Sequence, residues 1–283
     1  MALVKAKIRV GHSPDADDAF MFYAIAHDKV KTDGITFSHV IEDIESLNRR
    51  AFKSDLEVTA VSAFAFFEIC DKYALMSCGA SIGDNYGPIV VATKPMYGKE
   101  LKGKKIAVPG LHTTAYLTLR LFMPDFQEVV MPFDKILEAV QKNEVDAGLI
   151  IHEGQLTYKS LGFHKVVDLG EWFYEQTKLP LTLGVDIVRK NLGSDVMRKV
   201  TRIMKDSIVY ALDNREEALK YAMKFGRGVE TKTADEFVGM YVNDYTVDMG
   251  KKGKDGLRLL HELAVSHGLV KKKEAKIEFV DMR

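Results

Sequence analysis

Short apolar runs alternate with helical patterns through the first two thirds of the chain. Each run is rich in β-branched and aliphatic residues, and the segment after it has apolar residues every three or four positions. The cycle starts twice, at the N-terminus and again after the run "GDNYGPIVVATKP". The predicted strands are 7–11, 35–43, 57–62, 104–110, 127–133 and 146–151. This alternation is typical of an α/β protein with parallel sheets.

The two cycles share a pattern that predicts two similar lobes. The segments "FKSDLEVTAVS" and "VQKNEVDAGLI" each end a helix with polar residues and then place an acidic residue, Glu57 or Asp146, before a small-aliphatic strand. Helical patterns continue from about residue 194 and are expected to pad one lobe. The predicted boundaries are residues 1–93 with 186–283 for lobe one, 94–185 for lobe two, and hinge crossings near 93–95 and 181–186. We therefore expect a cleft between the lobes, where small-molecule sites usually form.

Charge and composition exclude several classes of function. Among 283 residues, 40 Lys and Arg balance 40 Asp and Glu, so no overall field attracts nucleic acid or an anionic membrane. No apolar run is long enough to span a bilayer. Cys70 and Cys78 are too few for a disulfide scaffold and are expected to be buried, reduced thiols. The N-terminal segment has no apolar signal region, so we expect a cytoplasmic protein.

The first predicted strand is followed by the acidic turn "GHSPDADDAF". Ser13 is a suitable N-cap, Pro14 suits the first helical position, and Asp15, Asp17 and Asp18 complement the positive end of the helix dipole. Three carboxylates in one turn also repel one another, which leaves open that at least one contacts a substrate.

Hydroxyl side chains follow two other strands. Ser62 ends "TAVS", where it is either a helix cap or a hydroxyl that faces the cleft. In "PGLHTTAY", Gly110 permits a tight turn, and Thr113 and Thr114 lie beside the unpaired N–H groups of a helix start. Such a helix start binds a carboxylate or phosphate, and two threonines exceed what capping needs. No phosphate-binding "GxxxxGK[ST]" loop is present.

His152 directly follows the last strand of lobe two. Its side chain titrates near neutrality, so at the edge of a cleft it is a candidate general base, although many such histidines only satisfy backbone groups. Glu153 is adjacent but need not face the imidazole. His12 and His112 also lie at strand ends, but their spacing matches no metal motif, so we predict no metal site.

The loop "ASIGDNYGPIVVA" enters the strand that leaves lobe one. Its glycines and proline indicate a turn, and it can also line the mouth of the cleft. Asn85 is therefore a candidate ligand contact.

Four blocks in chain order give the sequence a family resemblance over essentially its whole length. They are "SPDADDAFMFYAIAHDKV", "PGLHTTAYLTLRL", "EVDAGLIIHEGQLTY" and "VVDLGEWFYEQTKLPLTLG". The sequence resembles the 1,4-dihydroxy-6-naphthoate synthase family of the futalosine route to menaquinone. The "HTTAY" and "IIHE" blocks distinguish that family from chorismate dehydratase.

The resemblance implies a two-lobed fold like periplasmic binding protein type II. It also implies a lyase that splits cyclic dehypoxanthine futalosine to 1,4-dihydroxy-6-naphthoate without a metal or redox cofactor. By position, His152 matches the proposed catalytic base, and Ser62, Thr113 and Thr114 match the ligand pocket. The family's Ser-Pro-Cys-Pro-Asn-Asp-Thr motif is "SPDADDA" here, which keeps Ser13, Pro14 and Asp18 and adds acidic residues at positions 15 and 17.

The expected partner is a small-molecule carboxylate, which Thr113 and Thr114 would receive while Asp18 accepts from sugar-derived hydroxyls. Two alternatives remain open. One is a non-catalytic carboxylate-binding protein of the same fold, which in its usual form carries a signal peptide or a further signalling module. The other is an enzyme like chorismate dehydratase, against which the two blocks weigh.

Overall fold

The computed structural model describes residues 6–225, 230–272, 274 and 276–280. The strands are β1 Ala6–His12, β2 Ile35–Ile41, β3 Val58–Ser62, β4 Tyr73–Leu75, β5 Ser81–Gly83, β6 Ile89–Ala92, β7 Lys105–Val108, β8 Gln127–Val130, β9 Ala147–Ile150, β10 His164–Asp168 and β11 Leu181–Arg189. The α-helices are α1 Ala16–Ala26, α2 Ile44–Phe52, α3 Ala63–Ile69, α4 Thr114–Phe122, α5 Ile136–Gln141, α6 Gly154–Thr157, α7 Leu169–Thr177, α8 Ser194–Asp213, α9 Arg215–Ala222, α10 Thr231–Tyr241, α11 Asp244–Val247 and α12 Gly250–Ser266. Short 3₁₀ turns cover Gly98–Leu101, Phe133–Lys135 and Lys190–Leu192.

The strands form two sheets, and the sheets repeat one arrangement. The first has the order β2-β1-β3-β11-β4, with β5 paired to β11, and the second has the order β10-β6-β9-β7-β8. In each sheet the same three-stranded parallel unit lies side by side, as β2-β1-β3 and as β8-β7-β9. The α/β class and the internal repeat predicted from the sequence are therefore confirmed.

Neither sheet is purely parallel, which differs from the expectation. β11 runs antiparallel to β3, and β6 runs antiparallel to β9. These are the strands that arrive from the other half of the chain. A crossing strand of four or more apolar residues has the same local pattern in either orientation, so periodicity does not reveal its direction.

The first change of sheet comes earlier than the boundary drawn from the sequence. The boundary near 93–95 assigned Ile89–Ala92 to the first lobe, whereas these residues pair with β9 and β10 in the second sheet. The chain therefore changes sheet between Gly83 and Ile89. It returns with β11, which begins at Leu181 beside β5, so the two crossings lie next to each other.

Helix α1 is buried on almost every side. It packs against α8, α9 and α10, and all its residues from Ala16 to Ile25 are buried. The acidic first turn of α1 is enclosed with the rest of the helix, which removes Asp17 and Asp18 from bulk water.

The C-terminal helices bury one face each, as the sequence pattern predicts. In α8 the buried residues recur every three or four positions. They are Val200, Thr201, Ile203, Met204, Ser207, Ile208 and Ala211. Cys70 and Cys78 are buried free thiols, as expected. None of the helices in the described part of the chain is long and apolar enough to cross a membrane.

Candidate active site

A cavity lies between the two sheets, at the ends of their parallel strands. The empty space within it, including its open mouth, is about 700 Å³. Its described lining residues include no lysine, arginine or histidine. They are Ser13, Asp15, Asp17, Asp18, Ile44, Ala60, Val61, Ser62, Gly79, Ser81, Pro88, Thr113, Thr114, Ala115, Ile151, Gln155, Leu183, Gly184, Val185, Phe237 and Tyr241.

The repeat explains why polar groups meet at this cavity. Ser13 and Thr113 follow the central strands of the two parallel units, β1 and β7, and Ser62 and His152 lie at the ends of β3 and β9. The carboxyl ends of parallel strands are where ligands bind in α/β proteins.

The turn after β1 is held together by its own side chains. The backbone N–H of Ser13 donates to Asp18 Oδ2 at 2.7 Å, and the Ser13 hydroxyl donates to Asp15 Oδ2 at 3.1 Å. The N-cap of α1 is Asp15, two residues later than the expected Ser13. The reason is that the Ser13 hydroxyl also accepts from the backbone N–H of Asp15, which forms a local turn before the helix.

Burial changes the charge of this turn. Loss of water contact raises the pKa of Asp18 to about 6, despite the opposing hydrogen bond from Ser13. Burial, with the like charges of Asp18, Asp15 and Glu153, raises the pKa of Asp17 well above its ordinary value. The wall of the cavity is therefore less negative than three aspartates would suggest, and Asp17 tends to keep its proton.

Ser62 is held by a residue that the sequence analysis did not single out. Asn48 on α2 accepts from the backbone N–H of Ser62 at 2.9 Å and donates to the Ser62 hydroxyl oxygen at 3.1 Å. Ser62 is the N-cap of α3 but makes no side-chain capping bond. The Ser62 side chain also lines the cavity, and a ligand contact there stays a prediction. The available signal was a polar residue between the buried Leu47 and Ala51 of an otherwise amphipathic helix.

The two threonines have different surroundings. Thr113 is the N-cap of α4, and its hydroxyl accepts from Tyr116 N–H at 3.2 Å and donates to the Gly110 carbonyl at 3.0 Å. The Thr114 hydroxyl donates to the Leu183 carbonyl at 2.6 Å and accepts from Phe64 N–H at 3.2 Å. Both hydroxyls are already engaged within the fold, so the backbone N–H groups of the α4 start are the donors that remain for an anion.

His152 adjoins the cavity, although its ring is not among the described lining groups. Its neighbours Ile151 and Gln155 do line the cavity. The N–H of Gly154 donates to His152 Nδ1 at 3.0 Å, and Glu153 Oε2 lies 3.9 Å from that nitrogen. Because Nδ1 accepts here, it carries the lone pair of the neutral ring.

Tyr241 joins the lobes beside His152. Its hydroxyl donates to Gln155 Oε1 at 2.8 Å, which connects α10 of the first lobe to α6 of the second lobe. Both side chains line the cavity, and the sequence pattern gave no sign of either.

Two other candidates lie elsewhere. Asn85 is exposed in a turn with φ +67°, outside the described lining of the cavity. His12 is buried against His39, with 3.0 Å between His12 Nε2 and His39 Nδ1, and burial lowers its pKa to about 4. Within the described residues, no group of three or more His, Cys, Asp or Glu side chains could hold a metal ion.

Comparisons with known proteins agree on one family. Residues 8–266 match the family model described as menaquinone biosynthesis. A Thermus thermophilus protein named 1,4-dihydroxy-6-naphthoate synthase is 38% identical over 93% of this chain and 95% of its own length. A crystal structure from Archaeoglobus fulgidus superposes with a TM-score of 0.90 at 52% identity, covering 93% of this chain and 98% of that one.

The fold has more distant relatives. A Candida albicans protein, described as having the generic periplasmic binding protein fold, superposes with a TM-score of 0.70 at 14% identity and covers 98% of both chains. The predicted periplasmic-binding-protein-like fold is thereby confirmed.

Proposed function

The chain belongs to the menaquinone biosynthesis family, and on that premise we propose that it splits cyclic dehypoxanthine futalosine to 1,4-dihydroxy-6-naphthoate in the inter-lobe cleft. It is an enzyme of menaquinone biosynthesis, and the bond cleavage makes it a lyase. The observation that carries the proposal is the cavity at which Ser62, the α4 start and the His152 turn converge.

The cavity offers different groups to the two ends of such a substrate. The Ser62 hydroxyl and the N–H groups at the start of α4 suit the carboxylate. Asp18 and the hydroxyl of Tyr241 suit the sugar-derived hydroxyls, which both donate and accept hydrogen bonds. The neutral tendency of Asp17 lowers the repulsion that an anionic substrate would otherwise meet.

His152 is the proposed general base. Fragmentation that ends in an aromatic ring requires removal of a proton next to a carbonyl-like centre, and an imidazole is suited to accept it. In the arrangement described here Nδ1 holds the lone pair, so Nδ1 takes the proton after exchanging the Gly154 N–H for the substrate. Ile44, Val61 and Ile151 give this part of the cleft an apolar lining that excludes water.

The proposal includes no metal or redox cofactor. The electron pair left when His152 takes the proton becomes part of the aromatic ring, the bond to the sugar-derived fragment breaks, and that fragment leaves with the electrons of the broken bond. A small-molecule carboxylate substrate without nucleic-acid or membrane partners, and a cytoplasmic location, remain predictions from the sequence. A non-catalytic binding protein would use the same cleft without needing His152, and this difference separates the two functions.

The test is turnover of cyclic dehypoxanthine futalosine by the wild type and by His152→Asn, with the naphthoate product followed by absorbance and binding measured by calorimetry. We expect the variant to bind substrate and to lose about 10²–10⁴-fold in kcat. His164→Asn is the matched control, because His164 is an exposed histidine of the same lobe. Equal turnover by His152→Asn would remove the base from the mechanism, and binding without any wild-type turnover would favour the non-catalytic alternative.

A further inference from the structure

His112 of the second lobe is held by one face of α2, a helix of the first lobe. Three residues of α2, at positions 45, 48 and 52, lie on one face because they are three and four residues apart. Glu45 and Asn48 contact the backbone of His112, and Phe52 packs edge-on against its ring with 4.8 Å between centroids.

The Glu45 carboxylate makes the closest of these contacts. Its Oε2 accepts from the backbone N–H of His112 at 3.2 Å, and its Oε1 accepts from the ring Nδ1 at 2.7 Å. Glu45 is only 6% exposed, so its carboxylate is largely shielded from water, whereas the His112 side chain is 41% exposed. Gly110 completes the fit, since a Cβ there would overlap the carboxylate.

These contacts of α2 connect the two helix starts that face the cavity, those of α3 and α4. His112 directly precedes Thr113, the N-cap of α4. Asn48 donates to the His112 carbonyl at 3.4 Å and also holds the backbone and hydroxyl of Ser62. The same face of α2 therefore fixes the start of α3 in one lobe relative to the start of α4 in the other.

Neighbouring donors compensate the negative charge of Glu45. A bare carboxylate beside a seat for another carboxylate would repel the ligand. Here its oxygens accept from two groups of His112 and from Arg49 Nε at 3.3 Å. The side chain is thereby occupied with positioning and is not available to the ligand.

We propose that Glu45 and His112 are an inter-lobe positioning pair that sets the distance between Ser62 and the α4 start, and so the fit of the substrate carboxylate. The inference rests on the proposed function in that the substrate binds through a carboxylate at these two helix starts. The pair acts through Thr113 and Ser62 and makes no contact with the reacting atoms.

The test compares steady-state kinetics of wild type, Glu45→Ala, Glu45→Gln and His112→Phe. Misplaced binding groups raise KM, so we expect Glu45→Ala and His112→Phe to raise it about tenfold or more while kcat changes little. His112→Phe keeps the aromatic contact with Phe52 but removes the ring donor. Glu45→Gln keeps an oxygen acceptor and should recover most of the wild-type KM. Arg49→Ala removes only the exposed partner of Glu45 and should stay close to wild type.

Hydrogen exchange of the His112 amide provides a second readout that does not need turnover. We expect exchange to accelerate in Glu45→Ala and to stay slow in Arg49→Ala. A KM unchanged in Glu45→Ala, or unchanged His112 amide exchange, would overturn the proposal. Absence of wild-type turnover would instead refute the proposed function, and the amide exchange would still decide whether the pair joins the lobes.

Discussion

Asp186 in β11 offers a sharp test of how burial controls this protein's stability. Its side chain is 1% exposed, and neither carboxyl oxygen has a hydrogen-bond partner among the described residues. It packs against Gly79, which has φ +80°, and a Cβ at that position would overlap the Asp186 carboxyl group. Burial first, and the charge of Asp18 second, raise its pKa well above the ordinary 3.8.

We expect Asp186→Val to stabilise the protein. Removing a buried polar group that has no partner should increase the free energy of unfolding by roughly 1–3 kcal/mol, and valine is well suited to a buried strand. The folded state keeps a proton that the unfolded chain loses above about pH 3.8, so the wild type loses stability as pH rises. One proton of difference corresponds to ~1.4 kcal/mol per pH unit, so the gain from the substitution should grow at about that rate.

The assay is urea unfolding of wild type, Asp186→Val and Asp186→Asn at about pH 5 and about pH 6. At both pH values we expect the free energy of unfolding of the wild type to fall as pH rises. Asparagine removes the titration but leaves a buried amide, so it should reduce the pH slope without the full gain of valine. Asp195→Asn is the control, because that side chain is 83% exposed. A valine variant that is less stable than wild type, or a gain that is the same at both pH values, would refute the reasoning.

Three further substitutions test the contacts around the cleft. Thr114→Val should lower the free energy of unfolding in urea by ~1–3 kcal/mol, because it removes the hydroxyl that bonds the Leu183 carbonyl and the Phe64 N–H of the other lobe. Thr114→Ser keeps that hydroxyl and should recover most of the loss. Tyr241→Phe should lower kcat about tenfold at saturating substrate, since Gln155 beside the catalytic turn loses its donor. For Asp18, whose pKa of about 6 exceeds the ordinary 3.8, the stabilisation is complete below about pH 3.8 and is lost as pH rises through about 6. The difference is ~3 kcal/mol, so the decline of the unfolding free energy in urea should be smaller by about that amount in Asp18→Asn, which keeps the contribution of Asp186.

The sequence was informative where function depends on the residues directly after a strand. Ser13, Ser62 and Thr113 were all located from the ends of apolar runs, and each lines the cavity. Periodicity marks where a strand stops, and in a parallel sheet that position also determines which groups meet.

It was less informative where a side chain's role depends on a distant neighbour. Thr114 looked like a surplus hydroxyl for an anion, but the Leu183 carbonyl that engages it lies 69 positions away. Asn48 and Tyr241 lie within helices, and nothing local indicates that they reach Ser62 or Gln155. The antiparallel strands were missed for the same reason, since strand direction is decided by tertiary pairing.

The exchange of strands between the halves has a consequence for folding during synthesis. The second sheet has all its strands once residue 168 has left the ribosome, whereas the first sheet still lacks β11 at that point. Until Leu181–Arg189 emerges, β3 has an unpaired edge where β11 will bind, and such edges favour aggregation. The sheet whose first strands are synthesised earliest is therefore completed last. A pause in translation just before β11 would leave the open edge of β3 exposed to misfolding.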